Sequence, residues 1–482
     1  MNIRAVSHLI SYLLGLIALA MGISLVVSFA AGDPTSAKYG LAGGCAISLA
    51  AAILIWLLTR GPIELSRRDG FGVATFGWLS AAVFGALPYI ISGTISHPIP
   101  AVFETMSGFT TTGASVLTDL ESLPRGIIFW RAMTHFLGGM GVLVLCAAIL
   151  PFLKIGGMHV YHAEVPGPSK DRLTPRIAST AKLLWGAYLL FCVLETVLLR
   201  FGGMSWFDAW CHTCATMATG GFSTRTASVG AYGSLYLETI IICFMLIAGT
   251  NFVLHLKLLK GRPFEYFRDS EFRIYLLLWL SACLILTLNV WGDTYESFGE
   301  SLRAAFFQGT SILTTTGLCT ADFDAWPETS RILLVLLMFV GGCAGSTGGG
   351  VKNIRILVVV KALFREIFLY MRPAAVKKVK VGGATVKQES VSNIVAFLMI
   401  FVILFAAGSL IMTAFTPDLG TAVSSTIACL GNIGPGLNAV GATQNYAEMP
   451  SAGKAILVFF MLLGRLELYT VLVIFSPGFW KK

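Results

Sequence analysis

Ten long apolar runs dominate this sequence, and they constrain its fold more than any other feature. Each is close to the roughly 20 residues that an α-helix needs to cross the hydrocarbon core of a membrane. Short polar connections separate the runs. We therefore predict an all-α polytopic membrane protein. The runs cover residues 8–31, 40–59, 71–93, 126–151, 180–201, 235–258, 273–291, 330–361, 392–415 and 454–477.

The composition supports this class and excludes others. Hydrophobic residues make up 56% of the chain and charged residues 12%, whereas soluble domains carry about 25% charged residues. So few charges cannot cover a water-facing surface, which excludes a soluble globular protein, a disordered chain and a nucleic-acid-binding domain. The first run follows Arg4 and could also be a cleaved signal peptide, but its bilayer length favours a retained helix.

The polar connections alternate between basic and acidic. We attribute the net charge of +9 to the excess of Lys and Arg that cytoplasmic loops carry, which places both termini inside. The basic residues are Arg60, Arg67, Arg68, Lys154, Lys170, Arg172, Arg176, Lys257, Lys260, Arg262, Arg268, Arg273, Arg365, Arg372, Lys377, Lys378, Lys380, Lys387, Lys481 and Lys482. The acidic residues are Asp119, Glu121, Asp293, Glu296, Glu300, Asp322, Asp324 and Glu328.

Four outward connections share one pattern, a short apolar segment that ends in Thr- and Gly-rich sequence. Aligned on Gly113, Gly220, Gly317 and Gly434, the pattern recurs about every hundred residues. The segment is too short to span a membrane, so we predict span–pore-helix–span repeats around a central ion pore, all oriented alike. The predicted units are two leading helices at 1–70 and pore repeats at 71–154, 155–262, 263–372 and 373–482.

The Thr- and Gly-rich segments suit a binding site for a dehydrated K⁺ ion. K⁺ channels replace the hydration shell with backbone carbonyls from four such loops, and glycine allows the carbonyls to turn towards one axis. Polar turns at span ends are the alternative, but they do not explain the apolar segment before each motif. The predicted filter residues are Thr111, Thr112, Gly113, Thr219, Gly220, Thr315, Thr316, Gly317, Asn432, Ile433 and Gly434.

With these four motifs, the whole chain resembles the superfamily of K⁺ transporters that contains the bacterial Trk and Ktr membrane subunits and their plant and fungal relatives. The extra pair of spans before the first repeat resembles TrkH-type subunits rather than the shorter KtrB type. In that family, a serine in place of the first filter glycine is associated with Na⁺ permeation, so Gly113 favours K⁺. Cys319 departs from the usual pattern, beyond the expected carbonyl ligands.

The eighth span contains a glycine-rich run at residues 341–350. A helix cannot persist through it, because each glycine costs about 1 kcal/mol. The resemblance implies an intramembrane loop that gates the pore below the filter, and a packing kink is the alternative. A phosphate-binding loop does not fit, because the run lacks Gly-Lys-Ser/Thr. The predicted gate residues of this run are Gly345, Ser346, Thr347, Gly348, Gly349 and Gly350.

Arg465 lies inside the last apolar run, with Glu467 nearby. A buried arginine in a span is costly and is a functional hypothesis by default. The resemblance implies that it lies in the pore beneath the filter, where its charge opposes K⁺. A structural salt bridge with Glu467 or another carboxylate is the alternative, and both can hold. The acids Asp119, Glu121, Asp322 and Asp324 either concentrate cations near the filter or are simply solvated.

Together, the motifs and the resemblance predict K⁺ uptake across the bacterial cytoplasmic membrane, with K⁺ as the transported ion and no organic cofactor in this chain. A K⁺ symporter coupled to Na⁺ or H⁺ is an alternative, and an intramembrane enzyme is another, although we find no catalytic dyad. The resemblance implies a homodimer and a cytoplasmic TrkA-type nucleotide-binding regulatory ring. The basic connection at 372–387 would dock this ring or contact anionic membrane lipid. We expect no nucleic-acid partner.

Overall fold

The structure is a computed structural model that describes residues 1–61, 66–139, 141 and 177–480. These residues are mainly helical, as predicted. The exception is a small antiparallel hairpin between β1 (Lys380–Val381) and β2 (Ala384–Thr385) in the basic connection after the eighth span. Several predicted features lie outside the described residues: the end of the span at 126–151, the repeat boundary at 154, and the basic residues Lys154, Lys170, Arg172, Arg176, Lys481 and Lys482.

The two leading helices, α1 (Ile3–Ala30) and α2 (Thr35–Leu58), pack against each other and against the first repeat. Asn2 caps α1 by accepting a hydrogen bond from the Ala5 N–H at 3.2 Å. The backbone N–H of Asn2 donates in turn to Asp69 at 2.6 Å. Asp69 belongs to the capping box that begins the third helix, so the start of the chain is fixed to the start of the first repeat.

Each repeat contains a long helix, a pore helix of 12 to 16 residues and a second helix. In repeats two to four this second helix is broken into shorter helices. The first repeat contains α3 (Arg67–Gly85), α4 (Leu87–Ser92), the pore helix α5 (Pro98–Phe109) and α6 (Arg125–Gly139). The second contains α7 (Ile177–Phe201), the pore helix α8 (Trp206–Met217), α9 (Leu235–Ala248) and α10 (Phe252–Leu259).

A short helix, α11 (Glu265–Arg268), precedes the third repeat. That repeat contains α12 (Ser270–Val290), the pore helix α13 (Phe298–Leu313), α14 (Glu328–Val340) and α15 (Asn353–Met371). The fourth contains α16 (Gln388–Met412), the pore helix α17 (Leu419–Leu430), α18 (Ser451–Arg465), α19 (Leu468–Leu472) and α20 (Pro477–Trp480). Short 3-10 helices lie at Ser228–Tyr232, Phe323–Ala325, Asn438–Val440 and Val473–Phe475.

Among the described residues, six helices are long and apolar enough to cross a membrane, and two further bent pairs bring the number to eight. The spans predicted at 235–258 and 454–477 are each broken by a sharp bend, which the sequence did not indicate. The first bends by 102° between α9 and α10, and the second by 117° after α18. At the first bend, Asn251 is the N-cap of α10, because its side chain accepts the Val253 N–H at 2.9 Å. A new helix therefore begins where the span was expected to continue. Glu467, with φ of 57°, interrupts the second.

The four pore helices lie in the interior, where their last turns are buried on every side. Ser205 caps α8 by accepting the Asp208 N–H at 3.0 Å, and Asp418 caps α17 by accepting the Thr421 N–H at 2.8 Å. Non-helical backbone at membrane depth is tolerated only where protein buries it or where it lines a cavity. The loops that follow the pore helices meet this condition.

Candidate functional site

All four pore helices end with the same backbone turn. Just beyond each helix, an N–H donates to the carbonyl five residues earlier at 2.7–2.8 Å; these donors are Thr112, Gly220, Thr316 and Ile433. The residue before each donor has a left-handed backbone; these residues are Thr111, Thr219, Thr315 and Asn432, with φ of 53°, 54°, 60° and 54°. Glycine usually takes this position, and a β-branched residue there is a genuine outlier. The left-handed turn is therefore repeated at equivalent positions in all four predicted filter loops, and in the three loops where threonine takes this position it is strained.

The residue after each donor is a glycine with positive φ. These glycines are Gly113, Gly221, Gly317 and Gly434, with φ of 84°, 82°, 79° and 101°. The alignment of the second repeat on Gly220 is therefore wrong by one residue, because Gly221 has the conformation of Gly113 and Gly220 is equivalent to Thr112. Two consecutive glycines leave the register open in the sequence, whereas the backbone conformation fixes it.

The four filter loops close into a ring. A Cβ atom placed on any of the four glycines would lie 2.0–2.5 Å from a carbonyl oxygen of another loop. Gly113 faces the carbonyl of Gly220, Gly221 that of Thr316, Gly317 that of Ile433, and Gly434 that of Thr112. The contacts run from each repeat to the next and from the fourth back to the first. One carbonyl per repeat is thus presented in a closed cycle that has no room for a side chain at any of the glycines.

Buried polar side chains support the first two filter loops from behind. His135 donates from Nδ1 to the Gly108 carbonyl at 2.7 Å and accepts the Phe222 N–H at Nε2 at 3.1 Å. Arg131 pairs with Glu104 at 2.7 Å and donates to the Ser223 carbonyl at 2.9 Å. These contacts tie the second span and the pore helix of repeat one to the filter loop of repeat two.

Three of the acidic residues predicted near the filter mouth fasten neighbouring repeats together. Glu121 accepts the N–H of Thr226 at 3.0 Å and its hydroxyl at 2.5 Å. Partial burial acts to raise the pKa of Glu121, but the hydrogen bonds from Thr226 outweigh it and hold this pKa below its ordinary value. Asp324 accepts the Asn438 N–H at 3.0 Å, and Asp322 accepts a hydrogen bond from Thr443 at 3.3 Å. Asp119 accepts only a local bond, from the Ser122 N–H at 3.3 Å, among the contacts of the described residues.

The glycine-rich run forms a loop of its own between α14 and α15, not a kink. Its two ends are joined by hydrogen bonds from the Val351 N–H to the Phe339 carbonyl at 3.1 Å and from the Lys352 N–H to the Val340 carbonyl at 2.9 Å. Within it, Gly341, Gly345 and Gly350 have φ of 77°, 74° and 70°, which other residues rarely adopt. The glycines are therefore needed for the loop to fold back on itself.

The far end of this intramembrane loop touches the filter loops directly. The Gly349 N–H donates to the Thr315 hydroxyl at 2.6 Å, and the Gly350 N–H donates to the Gly431 carbonyl at 3.0 Å. Thr315 is one of the four left-handed filter residues. The predicted gate residues are therefore in contact with a predicted filter residue of repeat three, Thr315, and with Gly431, the residue directly before the predicted filter of repeat four.

A second side of the intramembrane loop packs against the break between α9 and α10. The Cys343 N–H donates to the Gly249 carbonyl at 2.8 Å, and the Phe252 N–H donates to the Gly345 carbonyl at 3.0 Å. The Thr347 hydroxyl donates to the Ala248 carbonyl at 3.1 Å. The bend that the sequence did not predict thus exposes the backbone groups that hold the loop.

Arg465 joins the intramembrane loop to the first repeat. Its guanidinium donates to the Thr347 carbonyl at 2.8 Å, to the Thr111 hydroxyl at 3.0 Å and to the Gly139 carbonyl at 3.0 Å. Glu467 pairs instead with Arg355 at 2.6 Å. Glu467 therefore pairs with α15 and not with Arg465, because the chain bends between the two residues. The wider alternative, a salt bridge between Arg465 and another carboxylate, stays a prediction.

A cavity of about 100 Å³ lies between the intramembrane loop, α15 and the end of α18. Its lining contains three cations, Lys352, Arg355 and Arg465, and one carboxylate, Glu467. Lys352 is only 3% exposed, and its Nζ donates to the Gly348 carbonyl. Lys352 and Gly221 were not among the site residues predicted from the sequence. The one available signal for Lys352 was a charge directly after a glycine run in a span.

These features define a class of membrane transport protein in which four pore-helix repeats surround a ring of carbonyls, with an intramembrane loop and a basic cavity beside it. A family model described as TrkH, cation transport protein, matches residues 38–482. The chain belongs to this TrkH family, which confirms the resemblance that the motifs indicated. It is a transport protein and not an enzyme.

Individual relatives extend the match over the full length. The chain is 41% identical to the Trk system potassium uptake protein TrkH of Salmonella typhimurium and 40% identical to the protein of the same name from Escherichia coli K12, each match covering 100% of both chains. The crystal structure of the potassium transporter TrkH from Vibrio parahaemolyticus is 35% identical and superposes with a TM-score of 0.89, again over 100% of both chains. The predicted all-α architecture is confirmed.

Proposed function

We propose that this chain mediates K⁺ uptake across the bacterial cytoplasmic membrane and that the ring of filter loops selects the ion. The closed cycle of glycine-to-carbonyl contacts carries the proposal, because it presents one equivalent carbonyl from each of four repeats. Carbonyl oxygens of this kind replace the water shell of K⁺. The names of the relatives, potassium uptake proteins of the Trk system, support the same ion.

The ion-binding residues would be the predicted filter residues together with Gly221. The pore helices add an electrostatic contribution, since the partly negative C-terminal end of each points towards the loop that follows it. The left-handed Thr and Asn residues turn the chain from the helix end into the ring, and the glycines let adjacent loops approach. The filter residues are Thr111, Thr112, Gly113, Thr219, Gly220, Gly221, Thr315, Thr316, Gly317, Asn432, Ile433 and Gly434.

The intramembrane loop and Arg465 would form the gate on the cytoplasmic side of the filter. Two unit charges about 4 Å apart repel by about 4 kcal/mol at an effective dielectric constant of 20, so a fixed guanidinium on the ion route is a substantial barrier. Arg465 donates to the Thr347 carbonyl of the loop at 2.8 Å. Movement of the loop would therefore release the guanidinium and lower both the steric and the electrostatic obstruction.

The same proposal includes the topology and the assembly. Both termini would be cytoplasmic, as the basic connections indicate, and the repeats would have the bounds predicted from the sequence. The functional unit would be a homodimer that binds a TrkA-type nucleotide-binding ring on its cytoplasmic face. The names of the relatives, which belong to a Trk system, support partners of this kind.

Coupling of K⁺ to H⁺ or Na⁺ is the second candidate mechanism. The observation that favours it is the presence of two ionisable side chains, Glu467 and Lys352, in the cavity beside the loop. Rb⁺ uptake into liposomes with and without an imposed pH or Na⁺ gradient distinguishes the two. Uptake that follows the membrane potential alone supports a channel-like pathway, and uptake that requires a second gradient supports a symporter.

Substitution of a filter glycine tests the filter itself. Gly113→Ser places a Cβ 2.2 Å from the Gly220 carbonyl, so we expect the ratio of Na⁺ to Rb⁺ uptake to rise. The matched control is Gly93→Ser, which has a similar positive φ of 78° but nothing within 4 Å of the new Cβ. It should leave the ratio unchanged. An unaltered ratio in both Gly113→Ser and Gly221→Ser would reject the proposed filter.

A further inference from the structure

A single carboxylate oxygen of Glu271 joins the intramembrane loop to the start of α15. Its Oε1 accepts the Ala344 N–H, inside the loop, at 2.7 Å and the Ile354 N–H, in the first turn of α15, at 3.1 Å. Glu271 is the second residue of α12 and is only 8% exposed. We propose that Glu271 is a positioning residue that keeps the loop in its closed position. This inference rests on the proposed role of the loop as the gate.

The contact with Glu271 differs from the other contacts of the loop in where it comes from. Thr315, Gly431 and Arg465 hold the loop from the filter side. Glu271 lies at the start of α12, and the pore helix α13 follows the other end of α12. Glu271 therefore holds the loop from the end of α12 that lies away from the filter. A displacement of the start of α12 therefore moves the acceptor of both amides and leaves the filter contacts in place.

The start of α12 lies next to the basic connections. The segment before it, residues 257–268, contains Lys257, Lys260, Arg262 and Arg268. The turn of the β1–β2 hairpin also lies against it, because a Cβ on Gly382 would be 3.4 Å from the Ser270 hydroxyl. Val379 of the hairpin strand region packs with Val358 of α15. Binding of a partner to these connections would thus reach Glu271 through direct contacts.

The surroundings explain why an acceptor is needed at this place. A loop at membrane depth cannot leave its amides unpaired at low cost, and the Glu271 side chain supplies one oxygen to two of them. Removing the Glu271 carboxyl group takes away the hydrogen-bond acceptor of the Ala344 and Ile354 amides in the closed position. The open position, in which the amides reach water, becomes relatively more stable.

The test combines hydrogen–deuterium exchange of the loop with Rb⁺ flux in liposomes. For Glu271→Ala we expect exchange of the peptide covering residues 341–355 to rise at least about 10-fold. Basal Rb⁺ flux should rise with it, at an unchanged ratio of K⁺ to Na⁺. Glu271→Gln keeps an oxygen acceptor and should restore most of the protection. The matched control is Asp33→Ala, which removes another buried carboxylate that accepts two backbone amides, those of Arg125 at 3.0 Å and Gly126 at 2.7 Å. These amides lie outside the loop, so loop exchange and flux should be unchanged.

Several results would overturn the assignment. Unchanged loop exchange in Glu271→Ala would show that the carboxylate does not hold the loop. Faster exchange with unaltered flux would show that its release does not open the pore. Flux that falls in proportion to the folded fraction would leave Glu271 a purely structural role. If the wild-type protein carries no Rb⁺, the proposed function fails, and the exchange measurement still decides whether Glu271 holds the loop.

Discussion

The guanidinium of Arg465 donates to the hydroxyl of Thr111 at 3.0 Å, so the last long helix of the chain touches the first filter loop. Thr111 has one of the four left-handed conformations that follow the pore helices, and as a β-branched residue it is strained there. Arg465 also donates to the Thr347 carbonyl of the intramembrane loop. One side chain therefore links the first filter loop to the proposed gate, so that a displacement of either one changes the contacts of the other.

Replacement of Arg465 by alanine tests its role as a barrier. We expect Arg465→Ala to fold and to increase Rb⁺ flux at least about 10-fold. A 10-fold change corresponds to a barrier lower by about 1.4 kcal/mol, which is only part of the repulsion expected between Arg465 and the ion. The lost hydrogen bonds should lower the melting temperature by a few degrees. Uptake and melting temperature are measured on the same preparation. Reduced flux together with a collapsed melting temperature would assign Arg465 a structural role only.

Arg355 and Glu467, unlike Arg465, should contribute mainly to the stability of the fold. They form a pair at 2.6 Å with side chains 8% and 28% exposed, and removing one partner strands the other charge. We expect Arg355→Met to cost about 3 kcal/mol of unfolding free energy, and Glu467→Met to cost a similar amount. The double variant should recover most of the loss, because no charge remains uncompensated. Additive losses in the double variant would contradict a direct ion pair.

Shortening the intramembrane loop tests the gate. Deletion of residues 345–349 removes the contact between Gly349 and Thr315, so Rb⁺ flux should rise while the ratio of K⁺ to Na⁺ stays constant. Flux, ion ratio and the elution profile of the purified protein are compared with those of the wild type. A well-folded deletion variant with unaltered flux would contradict the gate, and a changed ion ratio would show that the loop contributes to selectivity.

The outer contact between Glu121 and Thr226 should make stability depend on pH. The hydrogen bonds from Thr226 lower the pKa of Glu121 from its ordinary value of 4.5, so this carboxylate stabilises the fold above that pH. The contribution is lost as the pH falls through the lowered value. Melting temperatures of the wild type and Glu121→Gln should therefore converge on acidification below pH 4.5. A constant difference between them at every pH would contradict the assignment.

Local sequence predicted the features that depend on local chemistry. The spans follow from apolar length, the pore helices and filter loops from four Thr/Gly motifs, and the special position of Arg465 from a charge inside an apolar run. The register at Gly220 and Gly221 could not be read in this way, since two adjacent glycines are chemically equivalent. The partner of Glu467 could not be predicted from the sequence either, because Arg355 lies 112 residues away along the chain.

The bends after α9 and α18 were missed for a similar reason. Both breaks lie inside runs that are apolar on average, and contacts to other elements stabilise them. Gly249 offers its carbonyl to the loop at Cys343, and the chain turns at Glu467 where its carboxylate pairs with α15. Glu271 had one weak signal, an acid at the start of an apolar run. Nothing in the neighbouring sequence indicated which backbone groups it binds.

The most direct test of the carbonyl filter is the anomalous diffraction of Rb⁺ in crystals of this protein. The account predicts a peak on the axis of the ring, within coordinating distance of the carbonyl oxygens of Thr112, Gly220, Thr316 and Ile433, which disappears when Rb⁺ is replaced by Na⁺. A crystal with ordered filter loops that shows no peak at this ring, or an equal occupancy by Na⁺, would contradict it.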